Sequence, residues 1–318
     1  MSALTRRLRA LGDRLAGDPY ERALARAARE RRERVVFYWN RGLGDIALGL
    51  APMFARAAER LPGASIEVVT RADLEEPFRL TAARAVHVVP GLSRGDRLDA
   101  DGACARLPAD PRVGALAIDA PDATRWLAAA RHPAPPRFRW DPAYDALAVP
   151  LVDRDDTRPW IAVHASTETA RHYGYVKDWP ADAWRKLFRD TARRHDVRFV
   201  LLGLGGEPAL DGPNVIDLRG RTGFLAMLAL VRTRCTAVVA PDGGVLNAVY
   251  FLDAAFPVTV VSLWSDPRQG LLKAHARSPN PELVHVPLVG AAHDVRAIAP
   301  ADVLAAIEIA LAPRESSA

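Results

Sequence analysis

Residues 161–184 read IAVHASTETARHYGYVKDWPADAW. Ile161 to Val163 is a short apolar run, followed by His164, Ala165, Ser166 and Thr167 and then a polar loop that carries Arg171, His172 and Lys177. The pattern predicts a strand delivering hydroxyls and cations to a loop. Trp179 and Pro180 close that loop, and Trp184, Leu187 and Phe188 follow at helical spacing, with Pro180 where a helix start tolerates proline. A strand, a hydroxyl-rich turn, a lysine and a helix N-terminus together can hold a diphosphate. The same order also serves an ordinary connection in an α/β protein, so the stretch decides the fold class before it decides the chemistry.

Downstream the pattern repeats. Val197 to Leu202 reads as a strand ending in Gly203-Leu204-Gly205-Gly206-Glu207, where the glycines free the backbone and Glu207 suits a ribose diol. Pro208 stands in the last position of that glycine run, so it is not a dinucleotide fingerprint. Val215 to Leu218 is a short strand before Arg219-Gly220-Arg221-Thr222, and Phe224 to Val231 is a helix. Ala237 to Ala240 is the next strand; it meets Pro241-Asp242-Gly243-Gly244 and a helix through Asn247, Val249 and Tyr250. An acid with two glycines at a strand-to-helix turn can set backbone N–H groups on a phosphate while the carboxylate meets a sugar hydroxyl, and it is also a common Asp-Gly turn. Pro257 to Trp264 reads as the last strand and Ala301 to Leu311 as a closing helix.

Upstream, Arg34 to Asn40 (RVVFYWN) is a continuous apolar and aromatic run, the pattern of a buried parallel strand. It leads into Arg41-Gly42-Leu43-Gly44-Asp45 and a helix from Ile46. Gly42, Gly44 and Ala47 satisfy the G-x-G-x-x-G/A spacing, which raises a nicotinamide enzyme as an alternative. The second strand, Ser65 to Thr70, ends at Arg71 where an acid would normally meet the ribose, although an arginine could serve a 2′-phosphate. Val86 to Val89 and Val113 to Ile118 are further strands, and Leu74 to Leu80 a short helix. Prolines from 133 to 159 break the pattern, so the expected division is a first domain over 34–155 and a second over 156–318.

Composition narrows the class. The 318 residues are 49% hydrophobic and 25% charged, a globular balance too long for one typical domain. No apolar run reaches the length of a membrane span. Cys104 and Cys235 stand apart without CxxC or His-rich partners, so both read as buried thiols and neither a zinc site nor a disulfide framework is expected. The net charge of +5 is concentrated in residues 1–34, which hold ten arginines and five acids. With Leu4, Leu8, Leu11 and Leu15 at helical spacing, residues 1–33 read as a basic helical arm. Such an arm suits anionic lipid, or else packs on its own body; without interleaved aromatics it does not suit nucleic acid.

Taken in order, Gly42-Leu43-Gly44-Asp45, Lys177-Asp178-Trp179-Pro180 with Trp184, the strand end with Glu207, Leu218 to Thr222, and Asp242-Gly243-Gly244 resemble the ADP-heptose:lipopolysaccharide heptosyltransferases, glycosyltransferase family 9. The resemblance runs from about Arg34 to the C-terminus. It implies a GT-B architecture, two Rossmann-like α/β domains with parallel sheets facing a cleft, the acceptor on the first and the nucleotide sugar on the second. It implies that Asp45 is the general base, that Lys177, Ser166 and Thr167 meet the donor diphosphate, that Glu207 meets the nucleoside, and that Asp242, Gly243, Gly244 and Asn247 form the donor turn. Two positions depart from the family pattern: Gly243 stands for a Ser or Thr, and Asn247 for a His. The resemblance further implies inverting transfer from a nucleoside-diphosphate sugar, ADP-sugar first, to a lipopolysaccharide or other surface glycan. No cofactor or bound metal is expected, and the place of work is the cytoplasm, with the arm touching the inner membrane. The alternatives at this point are an NADP-dependent oxidoreductase using Gly42, Gly44 and Ala47, and a non-catalytic nucleotide or glycan binder.

Overall fold

The computed structural model describes residues 18–123, 126, 136–152, 155–167, 174–205 and 208–312. The chain forms two compact units, one of residues 1–41 and 45–135, the other of Gly42–Gly44 with residues 136–318.

In the first unit, β1 (Arg34–Trp39), β2 (Ser65–Thr70), β3 (Ala85–Val88) and β4 (Leu116–Ile118) form a parallel sheet in the order β3-β2-β1-β4. Alternation decides what each face meets. Val36, Tyr38 and Val69 pack with Ala100, Ala103 and Cys104 of helix α4 (Ala100–Cys104). On the other side Phe37 lies 4.6 Å from Phe54 of α2 (Ala51–Arg60), and Phe54 lies 6.1 Å from Phe78 of α3 (Glu75–Arg79). Between β1 and α2 the chain makes a π-turn, Ile46–Leu50, where a Cβ on Gly49 would lie 2.5 Å from that of Ala123. Such π-turns frequently mark functional sites.

Of the two alternatives for the basic N-terminal segment, its described part takes the packed one. Residues 1–17 lie outside the described residues, but α1 (Pro19–Arg29) is an integral part of the first unit. Asp18 caps it, Leu24 is fully buried, the Tyr20 hydroxyl donates to Met53 O at 2.6 Å, and Glu21 pairs with Arg56 at 2.9 Å. Helical spacing gave both outcomes; apolar burial of Tyr20, Leu24 and Ala27 selects packing.

The second unit holds a six-stranded parallel sheet: β6 (Trp160–Val163), β7 (Arg198–Leu201), β8 (Val215–Asp217), β9 (Cys235–Pro241), β11 (Val258–Trp264) and β12 (Leu283–Val289). Their order, β8-β7-β6-β9-β11-β12, is the Rossmann order 3-2-1-4-5-6 in the unit's own count. β5 (Phe138–Arg139) and β10 (Leu252–Asp253) make a separate two-stranded pair. One face of the large sheet is covered by α5 (Ala181–Ala192) and α9 (Pro300–Leu311), through Trp184, Leu187, Phe188, Val303, Leu304 and Ile307.

Several expected boundaries move. The division falls at Pro135/Pro136 and not near 155, because β5 pairs with β10 and a 3-10 segment, Pro142–Leu151, packs on α6 (Phe224–Arg234). The last strand is β12, unexpected because it contains Pro287; a proline is tolerated on a sheet edge. The closing helix α9 packs within the second unit, against α5 and β11. Among the described residues no helix is long and apolar enough to cross a membrane.

Candidate functional site

In a sheet of this order, ligands bind outside the carboxyl ends of the strands where the order reverses. In the second unit that point lies between β6 and β9. The loop after β6 carries Ser166, Thr167 and Lys177; the turn after β9 carries Asp242, Gly243 and Gly244. Lys177 Nζ donates to Asp242 Oδ2 at 2.5 Å across this point, with the two side chains 20% and 10% exposed.

The Lys177-x-Trp179-Pro180 sequence explains how the lysine is held. Trp179 is buried, donates from Nε1 to Ile298 O at 3.0 Å, and meets Trp184 edge-on at 4.9 Å. The indoles thus fix the chain two residues beyond Lys177. The start of the loop is tied to its end by Asp178, whose Oδ1 accepts from Thr167 N at 2.8 Å and from Thr167 Oγ1 at 2.9 Å. Ser166 is half-buried at the end of β6, while Arg171 and His172 lie outside the described residues. So do Gly206 and Glu207. The neighbouring loops are close-packed: Gly220 N donates to Gly203 O at 2.8 Å, and Gly203, at φ +114°, leaves room for the His164 ring. Arg219 is occupied by Asp217 at 2.6 Å and by Pro208 O at 2.8 Å, so it braces this corner.

Asp242 leads through extended Gly243 into α7 (Gly244–Tyr250). A Cβ on Gly244 would lie 2.7 Å from Leu43 Cβ, and one on Gly44 would lie 3.0 Å from Asn247 Nδ2. Within the second unit, then, the glycine loop lies directly on the start of α7, and Asn247 Nδ2 donates to Gly44 O at 3.1 Å. Asn247 is 5% exposed, and its Oδ1 has no hydrogen-bond partner among the described residues.

Sequence reasoning missed two neighbours. Asp178 is the loop clasp, readable only once Thr167 is known to face it. Gly270, at φ +48°, passes close enough that a Cβ would lie 2.9 Å from Asp242 Oδ1 and 3.0 Å from the Trp264 ring. Gln269, just before it, has a buried Oε1 with no hydrogen-bond partner among the described residues.

In the first unit, Asp45 is exposed at the start of the π-turn, with helical backbone angles and no side-chain capping bond. Arg71 is 1% exposed, donating to Asn40 Oδ1 at 3.1 Å and Arg41 O at 2.9 Å. The packing of Gly44 and of Arg71 counts against the dinucleotide alternative. Gly44 makes room for Asn247 and α7, not for a pyrophosphate, and Arg71 is committed to protein groups, not open to a 2′-phosphate.

No protein-family model and no curated protein matches the chain. Solved structures do. ADP-heptose LPS heptosyltransferase II of E. coli is 15% identical, with a TM-score of 0.60 over 87% of this chain and 98% of that one. A family 9 glycosyl transferase from Veillonella parvula is 14% identical, with a TM-score of 0.58 over 88% and 97%. E. coli heptosyltransferase WaaC with ADP-2-deoxy-2-fluoro heptose is 15% identical, with a TM-score of 0.51 over 87% and 99%. At such identities the likeness speaks for architecture: this chain has the α/β, parallel-sheet fold of the solved heptosyltransferases along nearly its whole length.

Proposed function

We propose that the protein is a nucleotide-sugar glycosyltransferase that transfers a heptose or related sugar, with inversion, to a surface-glycan acceptor. The observation that carries this reading is the Lys177–Asp242 pair at the strand-order reversal of the second unit. A lysine held there by a carboxylate is a pre-positioned cation for a diphosphate. The unpartnered acceptor Asn247 Oδ1 fits a ligand rich in hydroxyl donors, because a buried acceptor without a donor is costly.

In this mechanism Asp45 takes the proton from the acceptor hydroxyl as that oxygen attacks the anomeric carbon. The bond from that carbon to the diphosphate breaks, and Lys177 stabilises the negative charge that develops on the departing diphosphate. Asp242 and Asn247 orient the sugar, with Ser166 and Thr167 beside the diphosphate and Glu207 on the nucleoside. ADP is the nucleotide we favour, since WaaC is solved with ADP and with an ADP-sugar analogue. Arginines among residues 1–17 would draw the enzyme to anionic membrane where a lipid-linked acceptor resides.

A thermal-shift comparison tests the reading. ADP-sugars at about 100 times Kd should add about 2.7 kcal/mol of stability, while NADP adds none. Stabilisation by NADP alone would return the dinucleotide alternative, and binding of ADP-sugars without any transfer would make the protein a binder.

A further inference from the structure

We infer that Arg71 is the positioning residue for Asp45, acting through the Asn40–Arg41 turn; the inference rests on the proposed role of Asp45 as base. β1 and β2 run side by side to the same end, with Trp39 opposite Thr70. Just beyond, two consecutive residues of the β2 end take hold of the β1 exit. Thr70 Oγ1 donates to Trp39 O at 2.7 Å, and Arg71 Nη1 donates to Arg41 O at 2.9 Å and Asn40 Oδ1 at 3.1 Å. Asn40 carries the grip to the loop after β3, its Nδ2 donating to Ser93 O at 3.2 Å and Asp96 O at 3.3 Å. On its far side the guanidinium is ion-paired through Nε with Asp73 Oδ1 at 2.6 Å.

Stability alone is a poor reason for this arrangement. A buried cation is costly to desolvate, and an apolar side chain of similar volume usually serves a fold as well or better. What a guanidinium adds is a planar fork that holds the two turn oxygens through Nη1 and Asp73 through Nε in one fixed geometry. The oxygens bound are those of the turn Asn40–Gly44, which delivers Asp45 at the head of the π-turn. A general base must reach its proton within hydrogen-bond distance, and a misplacement of about 1 Å can cost on the order of 100-fold. Arg71 therefore acts on rate through the backbone that presents Asp45.

The experiment uses the full chain with Arg71→Lys and Arg71→Ala, beside Asp45→Asn. Arg71→Lys keeps a buried charge but loses the fork, so it keeps the fold testable if Arg71→Ala unfolds. We expect kcat to fall roughly 10-fold to 100-fold in the Arg71 variants while KM for the nucleotide sugar changes less than about twofold, and added guanidinium to restore part of the loss in Arg71→Ala. Hydrogen exchange at the amides of residues 41–45 should accelerate in both variants while exchange in β6 and β9 stays unchanged. Wild-type kcat in Arg71→Lys with unaltered exchange at residues 41–45 overturns the inference. A normal rate in Asp45→Asn, by contrast, removes the base reading itself, whatever the Arg71 variants do.

Discussion

Removing Lys177 tests the donor cradle at its centre. Lys177→Ala deletes one partner of a 2.5 Å ion pair and leaves Asp242, with only 10% of its side chain exposed, next to the place assigned to the diphosphate. Two losses add. A charge-assisted hydrogen bond to the diphosphate is worth about 1.5 to 3 kcal/mol, or roughly 10-fold to 150-fold in Kd. The carboxylate of Asp242, no longer neutralised, then repels the anion, which pushes the single variant toward the weaker end of that range. Lys177→Ala combined with Asp242→Asn removes the repulsion and should recover part of the affinity for ADP. For a nucleotide sugar the double variant should recover less, because Asp242 is also assigned to a sugar hydroxyl. Calorimetric titration of all three variants with ADP and with an ADP-sugar reads these differences directly. An unchanged Kd for ADP in Lys177→Ala, or a double variant no better than the single one, would refute the reasoning.

Three further outcomes follow from packing and charge. Deleting residues 1–17 should weaken binding to anionic vesicles in a salt-dependent way, whereas deleting 1–33 should also destabilise the first unit by about 3 to 6 kcal/mol, the burial of Tyr20 and Leu24. Gly244→Ala places a Cβ 2.7 Å from Leu43, and should cost about 1 to 3 kcal/mol in denaturant titration and displace the glycine loop from Asn247. His285 shares the Ser262 hydroxyl at 2.7 Å, and burial pushes its pKa from 6.5 down to about 4. The native state therefore resists a proton that the unfolded chain accepts: the contribution is complete above about pH 6.5 and is lost as pH falls toward 4. His285→Gln should flatten that part of the stability profile.

Much of the fold was legible because buried parallel strands announce themselves as apolar runs followed by glycine-bearing turns. The apolar runs alone found β1, β2, β6, β7, β9 and β11, and glycine-bearing turns follow β1, β7 and β9. It missed β12, where Pro287 and alternating exposure imitate a loop, and it misplaced the division because the proline-rich stretch is tied down by pairing with β10, more than a hundred residues away. The candidate site was legible as residue types and not as partnerships. Lys177 and Asp242 were each visible, but their pairing spans 65 positions. The Gly42–Gly44 spacing matched a dinucleotide fingerprint, yet what needs the space is Asn247, which no local pattern around residue 44 could show. Arg71 appeared as a substitute at a cofactor position, and only its burial shows that it serves the turn beside it.

Turnover of Asp45→Asn with an ADP-sugar and its acceptor tests the proposed glycosyl transfer most directly. Asp45 makes no side-chain capping bond, so asparagine removes no helix cap. If Asp45 accepts the proton of the attacking hydroxyl, kcat should fall roughly 100-fold to 10,000-fold while Kd for the nucleotide sugar stays the same. A kcat within a few-fold of the parent protein, at unaltered donor affinity, would contradict glycosyl transfer with Asp45 as its base.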